Sequence, residues 1–218
     1  MHQFEFEKMI RISVTKDQVA SLDTEVFKGS IHVINNISEA RSALNYLGKF
    51  KQIGFDTETR PSFRKGASHN VSLIQLSTLD ECFLFRINKI GISKEVKDFL
   101  EDDSVMKIGL SIKDDFGMIK KISDVNPAGF IDLQQMVHSY NIIDASLQKI
   151  YAILFDKRIS KGQRLSNWEN DILSPAQQMY AAIDAYACLR IYLFLTQDKF
   201  DFSHSKYLLK PEEINEEV

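Results

Sequence analysis

Gln52-Ile53-Gly54-Phe55-Asp56-Thr57-Glu58 decides how this chain folds. Read as an extended segment, it puts Ile53, Phe55 and Thr57 on one face and Gly54, Asp56 and Glu58 on the other. Two carboxylates sharing a face repel each other, and inside a sheet they also lose hydration, which is costly unless a cation compensates. On an exposed edge strand the same face would simply meet water, and a lone Asp-x-Glu is short enough to arise without function. The neighbouring sequence has to separate the two readings.

Working outward, the pattern is mixed. Strands are predicted at 31–34, 52–58, 71–77, 82–86, 105–110 and 130–132. The polar Thr78-Leu79-Asp80-Glu81 between two of them reads as a hairpin connection. Helices are predicted over 38–50, where Ala40, Ala43, Leu44 and Leu47 recur at helical spacing, over 93–100 and near 115–122, with the remainder helical. The clearest helix runs from Ser174 to about Leu195, with Ser174 as N-cap, Pro175 at its first position and Gln177 closing a capping box. A hairpin-connected trio of strands followed by strands alternating with helices implies an α/β fold whose mixed sheet is parallel on one side.

The chain has 218 residues, enough for one α/β domain of somewhat above average size. It can bury roughly 70% of its unfolded surface and so needs neither disulfide nor metal merely to fold. The segment 1–29 reads as an N-terminal appendage in which Thr15-Lys16-Asp17-Gln18 opens a short helix. Residues 30–200 form the main domain, and 201–218, ending in the acidic Pro211-Glu212-Glu213, read as a frayed tail. No leader pattern and no uninterrupted apolar run of membrane length stands out, since 179–195 is broken by Asp184 and Arg190. Cys82 and Cys188 are isolated and read as small buried residues of a reduced compartment, so the expected location is cytoplasmic and no membrane partner is expected. The net charge of −3 argues against a protein that grips long nucleic acid by overall charge, so any such partner needs a local basic patch or metal ions.

The long helix raises the same difficulty as the acidic strand. Tyr180 and Asp184 are i and i+4 neighbours amid Met179, Ala181, Ala182, Ile183, Ala185 and Ala187, so Asp184 is an acid on a helix apolar on most sides. A buried salt bridge is the structural alternative to a functional role. A third element, Lys107-Ile108-Gly109-Leu110-Ser111-Ile112-Lys113-Asp114-Asp115, ends an apolar strand and begins a helix, where parallel sheets usually place a site. Asp at a helix start is also a common cap, and adjacent residues diverge, so at most one of Asp114 and Asp115 joins a shared site. Four carboxylates from these elements converge only if hard cations hold them, and oxygen-only ligation suits Mg²⁺ or Mn²⁺ rather than zinc. Two such ions activate a water and stabilise the leaving oxygen in phosphodiester hydrolysis.

With these residues in place, the chain resembles DEDD-type 3′–5′ exonuclease domains of the tyrosine-containing subgroup, the group of ribonuclease D and the Werner syndrome exonuclease domain. The resemblance runs from about Ile31 to Leu195. It rests on Phe55-Asp56-Thr57-Glu58-Thr59 with Val71-Ser72-Leu73-Ile74-Gln75-Leu76-Ser77, on Gly109 through Asp115, and on Tyr180-Ala181-Ala182-Ile183-Asp184-Ala185-Tyr186 preceded by Ser166-Asn167-Trp168. It implies a ribonuclease H-like fold, a five-stranded mixed sheet with helices on both faces. It assigns Asp56, Glu58, Asp115 and Asp184 to two Mg²⁺ or Mn²⁺ ions, the motif spacing selecting Asp115 over Asp114. Tyr180 would position the attacking water, and the products would be nucleoside 5′-monophosphates. A phenol with an ordinary pKa of about 10 suits an orienting donor better than a free base at neutral pH.

The implied partner is nucleic acid, DNA or RNA, presented as a single-stranded 3′ end. Expected substrate contacts are Thr59, Arg60, Lys161 and Arg164, the last two in the basic run 157–164, which read alone is equally a solvated loop. Arg64, Lys65 and His69 follow the first motif; His69 reads as an ordinary surface histidine, Trp168 as a packing anchor and Asp132 as a helix cap rather than a fifth ligand. A degenerate nuclease-fold module that binds nucleic acid or a protein without catalysis is the competing reading. Such modules commonly lose ligands, whereas all five motif positions are intact here.

Overall fold

Val71-Ser72-Leu73-Ile74-Gln75-Leu76-Ser77 is buried at every position, which places it in the middle of a sheet covered on both sides. In the computed structural model, which describes residues 11–63, 69–197 and 199–209, this strand is β3 (Val71–Ser77). It lies antiparallel between β2 (Gln52–Thr59) and β4 (Glu81–Phe85). β1 (Ser30–Ile34) adds in parallel outside β4, while β5 (Met106–Gly109) and β6 (Phe130–Asp132) add in parallel beyond β2. The order is β1-β4-β3-β2-β5-β6, a mixed sheet parallel toward both edges. The family resemblance implied five strands, and the sheet has six. All six are at positions that the sequence pattern predicts, including the edge strand β1, paired with β4 from Ser30↔Glu81 to Ile34↔Phe85.

Between and around the strands lie α1 (Lys16–Ala20), α2 (Ile37–Leu47), α3 (Ile87–Ile90), α4 (Lys94–Glu101), α5 (Ile112–Lys120), α6 (Leu133–Val137), α7 (Leu147–Phe155) and α8 (Pro175–Thr196). Local chemistry fixes the starts of several. Thr15 and Ser174 close the expected capping boxes with Gln18 and Gln177, and Asn36 and Ser93 cap α2 and α4.

The alternation of each strand divides the core in two. Ile53, Phe55, Ile74, Leu76, Phe83 and Phe85 pack with the apolar sides of α2, α4 and α5. Leu73, Leu84, Cys82 and Ile108 pack with α6, α7 and α8 on the other side. Helix α8 is long and apolar enough to cross a membrane by length and composition, but here it lies along the sheet with more than half of it buried. Its approach is close: a Cβ on Gly54 would lie 1.8 Å from the Ala185 carbonyl oxygen, so glycine is the residue that lets β2 and α8 touch. Both cysteines are free and buried.

The described part of the N-terminal segment is tied into this body. Ile12, Val14 and Phe27 join the core on the α8 side, and Ile12 bridges both Ile142 and Leu208. Residues 201–209 fold back as well, with the Tyr207 hydroxyl donating to Asp156 at 2.8 Å. The acidic stretch from Pro211 and the loop residues Arg64 and Lys65 lie outside the described residues.

Candidate active site

Asp56 and Glu58 stand on the same face of β2 as Gly54, the face that α8 covers. The turn of α8 that touches Gly54 at Ala185 delivers the adjacent Asp184, and the result is a group of three: ligand oxygens of Asp56, Glu58 and Asp184 all lie within 4.8 Å of one another. Glu58 and Asp184 are buried, and Asp56 is half-buried. The acidic face of β2 is therefore an interior feature, and the exposed-edge reading falls away because β3 and β5 flank the strand.

The electrostatics of the crowd follow from its geometry. Burial, then the charges of Asp184, Glu58 and Asp115, push the Asp56 carboxyl well above its ordinary range. Glu58 is raised by burial and by Asp184 and Asp115, against the opposing charge of Arg164. Burial raises Asp184 too, while a hydrogen bond donated by the Tyr180 hydroxyl works the other way. The Tyr180 phenol itself is pushed up by burial and by the three acids, so it remains a protonated donor at neutral pH. Its ring sits 5.9 Å from that of Trp168, which is fully buried and serves as the packing anchor expected of it.

Asp115 stands outside the compact group of three. It lies in the first turn of α5 and accepts a hydrogen bond from the Thr57 hydroxyl, on the opposite side chain alternation of β2 from Asp56 and Glu58. Burial raises its carboxyl to about 6 against the lowering effect of that bond. Its charge still acts on both Asp56 and Glu58, so it belongs to the same electrostatic neighbourhood. The start of α5 is held from outside: Ser111, in left-handed backbone, has its N–H bonded to Asp132 Oδ1 at 2.9 Å. Asp132 also accepts from the Gln134 N–H at 2.9 Å and so caps α6, the role its position suggested.

Among the expected substrate contacts, Thr59 ends β2, and Arg60 follows it in an ion pair with Glu169 at 3.0 Å. His69 reaches the same Glu169 at 3.5 Å. Arg164 is exposed, with its charge felt at Glu58, while Lys161 lies in a separate cavity. Sequence reasoning missed three further features. Gln75 pairs directly across from Asp56, and both polar atoms of its buried side chain lack a partner among the described residues. Phe63, 84% exposed, and Leu165, 63% exposed, line a cavity of about 520 Å³ with Arg60, His69 and Asn167. Gln75 lay within a strand already singled out; the exposure of two apolar side chains has no periodic signature.

The residues present fit a hard divalent cation. Three oxygen donors converge, no thiol or imidazole joins their group among the described residues, and an orphaned buried amide stands beside them, a donor set that suits a hard cation.

Comparison with known proteins agrees in extent. A family described as 3′-5′ exonuclease matches residues 31–198. The mouse protein named bifunctional 3′-5′ exonuclease/ATP-dependent helicase WRN is 32% identical over 146 residues, covering 64% of this chain and 10% of that protein. The Drosophila melanogaster exonuclease 3′-5′ domain-containing protein 2 is 31% identical over 191 residues, 83% of this chain and 32% of the relative. Among solved structures, the Aedes aegypti Nibbler EXO domain superposes with a TM-score of 0.71 at 22% identity, covering 83% of this chain and 96% of that one. This chain thus spans a third or less of the two curated relatives just described.

Proposed function

The chain belongs to the 3′–5′ exonuclease family, and on that premise we propose that it hydrolyses the terminal phosphodiester of a single-stranded 3′ end of DNA or RNA, releasing nucleoside 5′-monophosphates. The observation that carries this reading is the convergence of Asp56, Glu58 and Asp184 within 4.8 Å beside the Tyr180 hydroxyl. We assign these three carboxylates, with Asp115 joining from α5, to two Mg²⁺ or Mn²⁺ ions. Bound there, the ions would neutralise the carboxylates, lower the pKa of water and offset charge on the leaving oxygen.

The chain's own residues do the rest. Tyr180, protonated and anchored against Trp168, gives its one O–H proton to Asp184 in the metal-free site; with that carboxylate neutralised by a cation, the hydroxyl would turn to the attacking water and orient it toward the phosphorus. Thr57 fixes Asp115 from the far side of β2. Arg164 offers a cation to the phosphates next to Glu58, and Phe63 offers an exposed ring on which a 3′-terminal base can stack. Glu169 holds Arg60 at the rim of the same cavity. The buried thiols and the absence of disulfides among the described residues fit a reduced, cytoplasmic setting.

The test is digestion of a 5′-labelled oligonucleotide with Mg²⁺ or Mn²⁺ by the wild-type chain and by Asp56→Ala and Asp184→Ala. A ladder shortened from the 3′ end in the wild type and loss of it in folded variants are expected. A wild-type chain that binds the strand with metal present and never shortens it would make the fold a catalytically silent member of its family.

A further inference from the structure

A second cavity, of about 570 Å³, lies between α1, the start of α7 and the loop 156–164. Its lining includes Lys16, Lys149, Arg158 and Lys161 and no carboxylate, in a chain whose net charge is −3. Asp144 pairs with Lys149 at 2.5 Å and partly neutralises it. Lys16, Arg158 and Lys161 have no ion pair among the described residues, and Arg158 spends only its Nε, on the Thr24 hydroxyl at 3.0 Å. Concentrating like charges in this way costs free energy unless an anion answers it.

The backbone adds to the same field. Ser146 precedes α7 without a side-chain cap bond, and Ser146, Gln148 and Lys149 at the start of this nine-residue helix line the cavity, so its first N–H groups lie beside it unbonded by their cap. The hydroxyls of Thr24 and Ser160 supply neutral hydrogen-bonding groups alongside. Cations, hydroxyls and helix N–H groups are the set that recognises phosphate oxygens.

Position ties the cavity to the reaction. Lys161 lines it, and Arg164, three residues on in the same loop, stands close enough to act on Glu58. Three residues span at most about 11 Å, the rise of about three nucleotides in a stacked strand. We propose that this cavity holds a backbone phosphate of the substrate strand a few nucleotides internal to the 3′ end, so that the N-terminal helix α1, through Lys16, takes part in holding nucleic acid. The inference rests on the exonuclease reading only in taking the anion to be a nucleic-acid phosphate.

The experiment measures binding of a 5′-fluorescein-labelled 12-nucleotide single strand to the full chain in EDTA, across a salt series. K16E/R158E is compared with K49E/K51E, two exposed charge reversals of the same total size that lie outside the cavity lining. The double variant is expected to bind about tenfold or more weakly at low salt, with a shallower log–log salt slope because fewer counterions are released. K49E/K51E is expected to match the wild type. K16A, which adds no negative charge, should show the same effect in smaller measure. Equal affinity and slope in wild type and K16E/R158E would overturn the proposal. So would a chain whose melting is raised by adenosine 5′-monophosphate only when Lys16 and Arg158 are intact, while 12-mer binding ignores them; the cavity would then serve a free phosphate monoester. Loss of 12-mer affinity in K16E/R158E together with no digestion by the wild type under any metal would leave the cavity standing and sink the catalytic reading alone.

Discussion

Three carboxylates within 4.8 Å of one another make the metal-free chain unusual in its pH response, and the sign can be worked out. Folding raises Asp184 from its ordinary value to about 7 and Glu58 to about 9, with Asp56 also well raised. In the unfolded chain these groups titrate near 4. Between those limits the folded state holds more protons than the unfolded one, so stability falls as pH rises. In EDTA the melting temperature should therefore be highest near pH 4–5 and decline toward pH 9. Mn²⁺ should reverse the decline most strongly at the alkaline end, where the carboxylates are ionised and crowded. A metal-free melting temperature that climbs from pH 5 to 9 would contradict the burial of the group. Asp184→Asn, which removes one charge from the crowd, should flatten the profile. Tyr180→Phe, which removes the hydrogen bond that works against the rise of Asp184, should steepen the decline while slowing digestion by about 10²–10⁴-fold, the usual worth of a positioned proton donor. A wild-type rate in that variant would end the water-orienting role.

At the scale of elements, the contact between β2 and α8 sets the geometry of the site. A methyl group at Gly54 would collide with the Ala185 carbonyl, a backbone atom that cannot swing aside, and Ala185 adjoins Asp184. Gly54→Ala should push the helix off the strand, cost about 1–3 kcal/mol of stability, and cut activity more than a surface change of equal stability cost. Comparing its rate with that of a core variant melting at the same temperature separates misplacement from unfolding; equal rates would show that the approach only packs. The acids on β2 and α8 were legible because their spacing within each element is local: alternation put Asp56 with Glu58, and the i, i+4 rule put Tyr180 with Asp184. The start of α5 was not legible. The helix begins at Ile112 rather than near Asp115 because Asp132, from another strand, holds the Ser111 N–H. That bond spans 21 positions, and no local pattern announces it. The Thr57–Asp115 hydrogen bond is hidden for the same reason, and so is the separation of Asp115 from the other three acids. The strand count is a milder case, because the sequence pattern predicts all six strands while the resemblance implied five.

For the molecule as a whole, the segment before β1 matters more than its polar sequence suggests. Ile12 is fully buried, and its backbone bridges Ile142 on one side and Leu208 on the other, so this residue joins the two ends of the described chain while its side chain packs into the α8 side of the core. Asp144 strengthens the clasp by accepting from the Val14 N–H at 2.9 Å and the Ser13 hydroxyl at 2.8 Å. The same Asp144 pairs with Lys149, so the strap also orders the start of α7 and one wall of the basic cavity. Removing three methyl-sized groups in Ile12→Ala should cost about 2–5 kcal/mol, the range for a buried large-to-small change that leaves a cavity. In a chain of this size that lowers the melting temperature by roughly 2–4 °C per kcal/mol. Thermal melts followed by circular dichroism check the value directly. A shift below about 2 °C would mean that the strap lies on the core without being needed by it, and that the ends of the chain fold independently of the sheet.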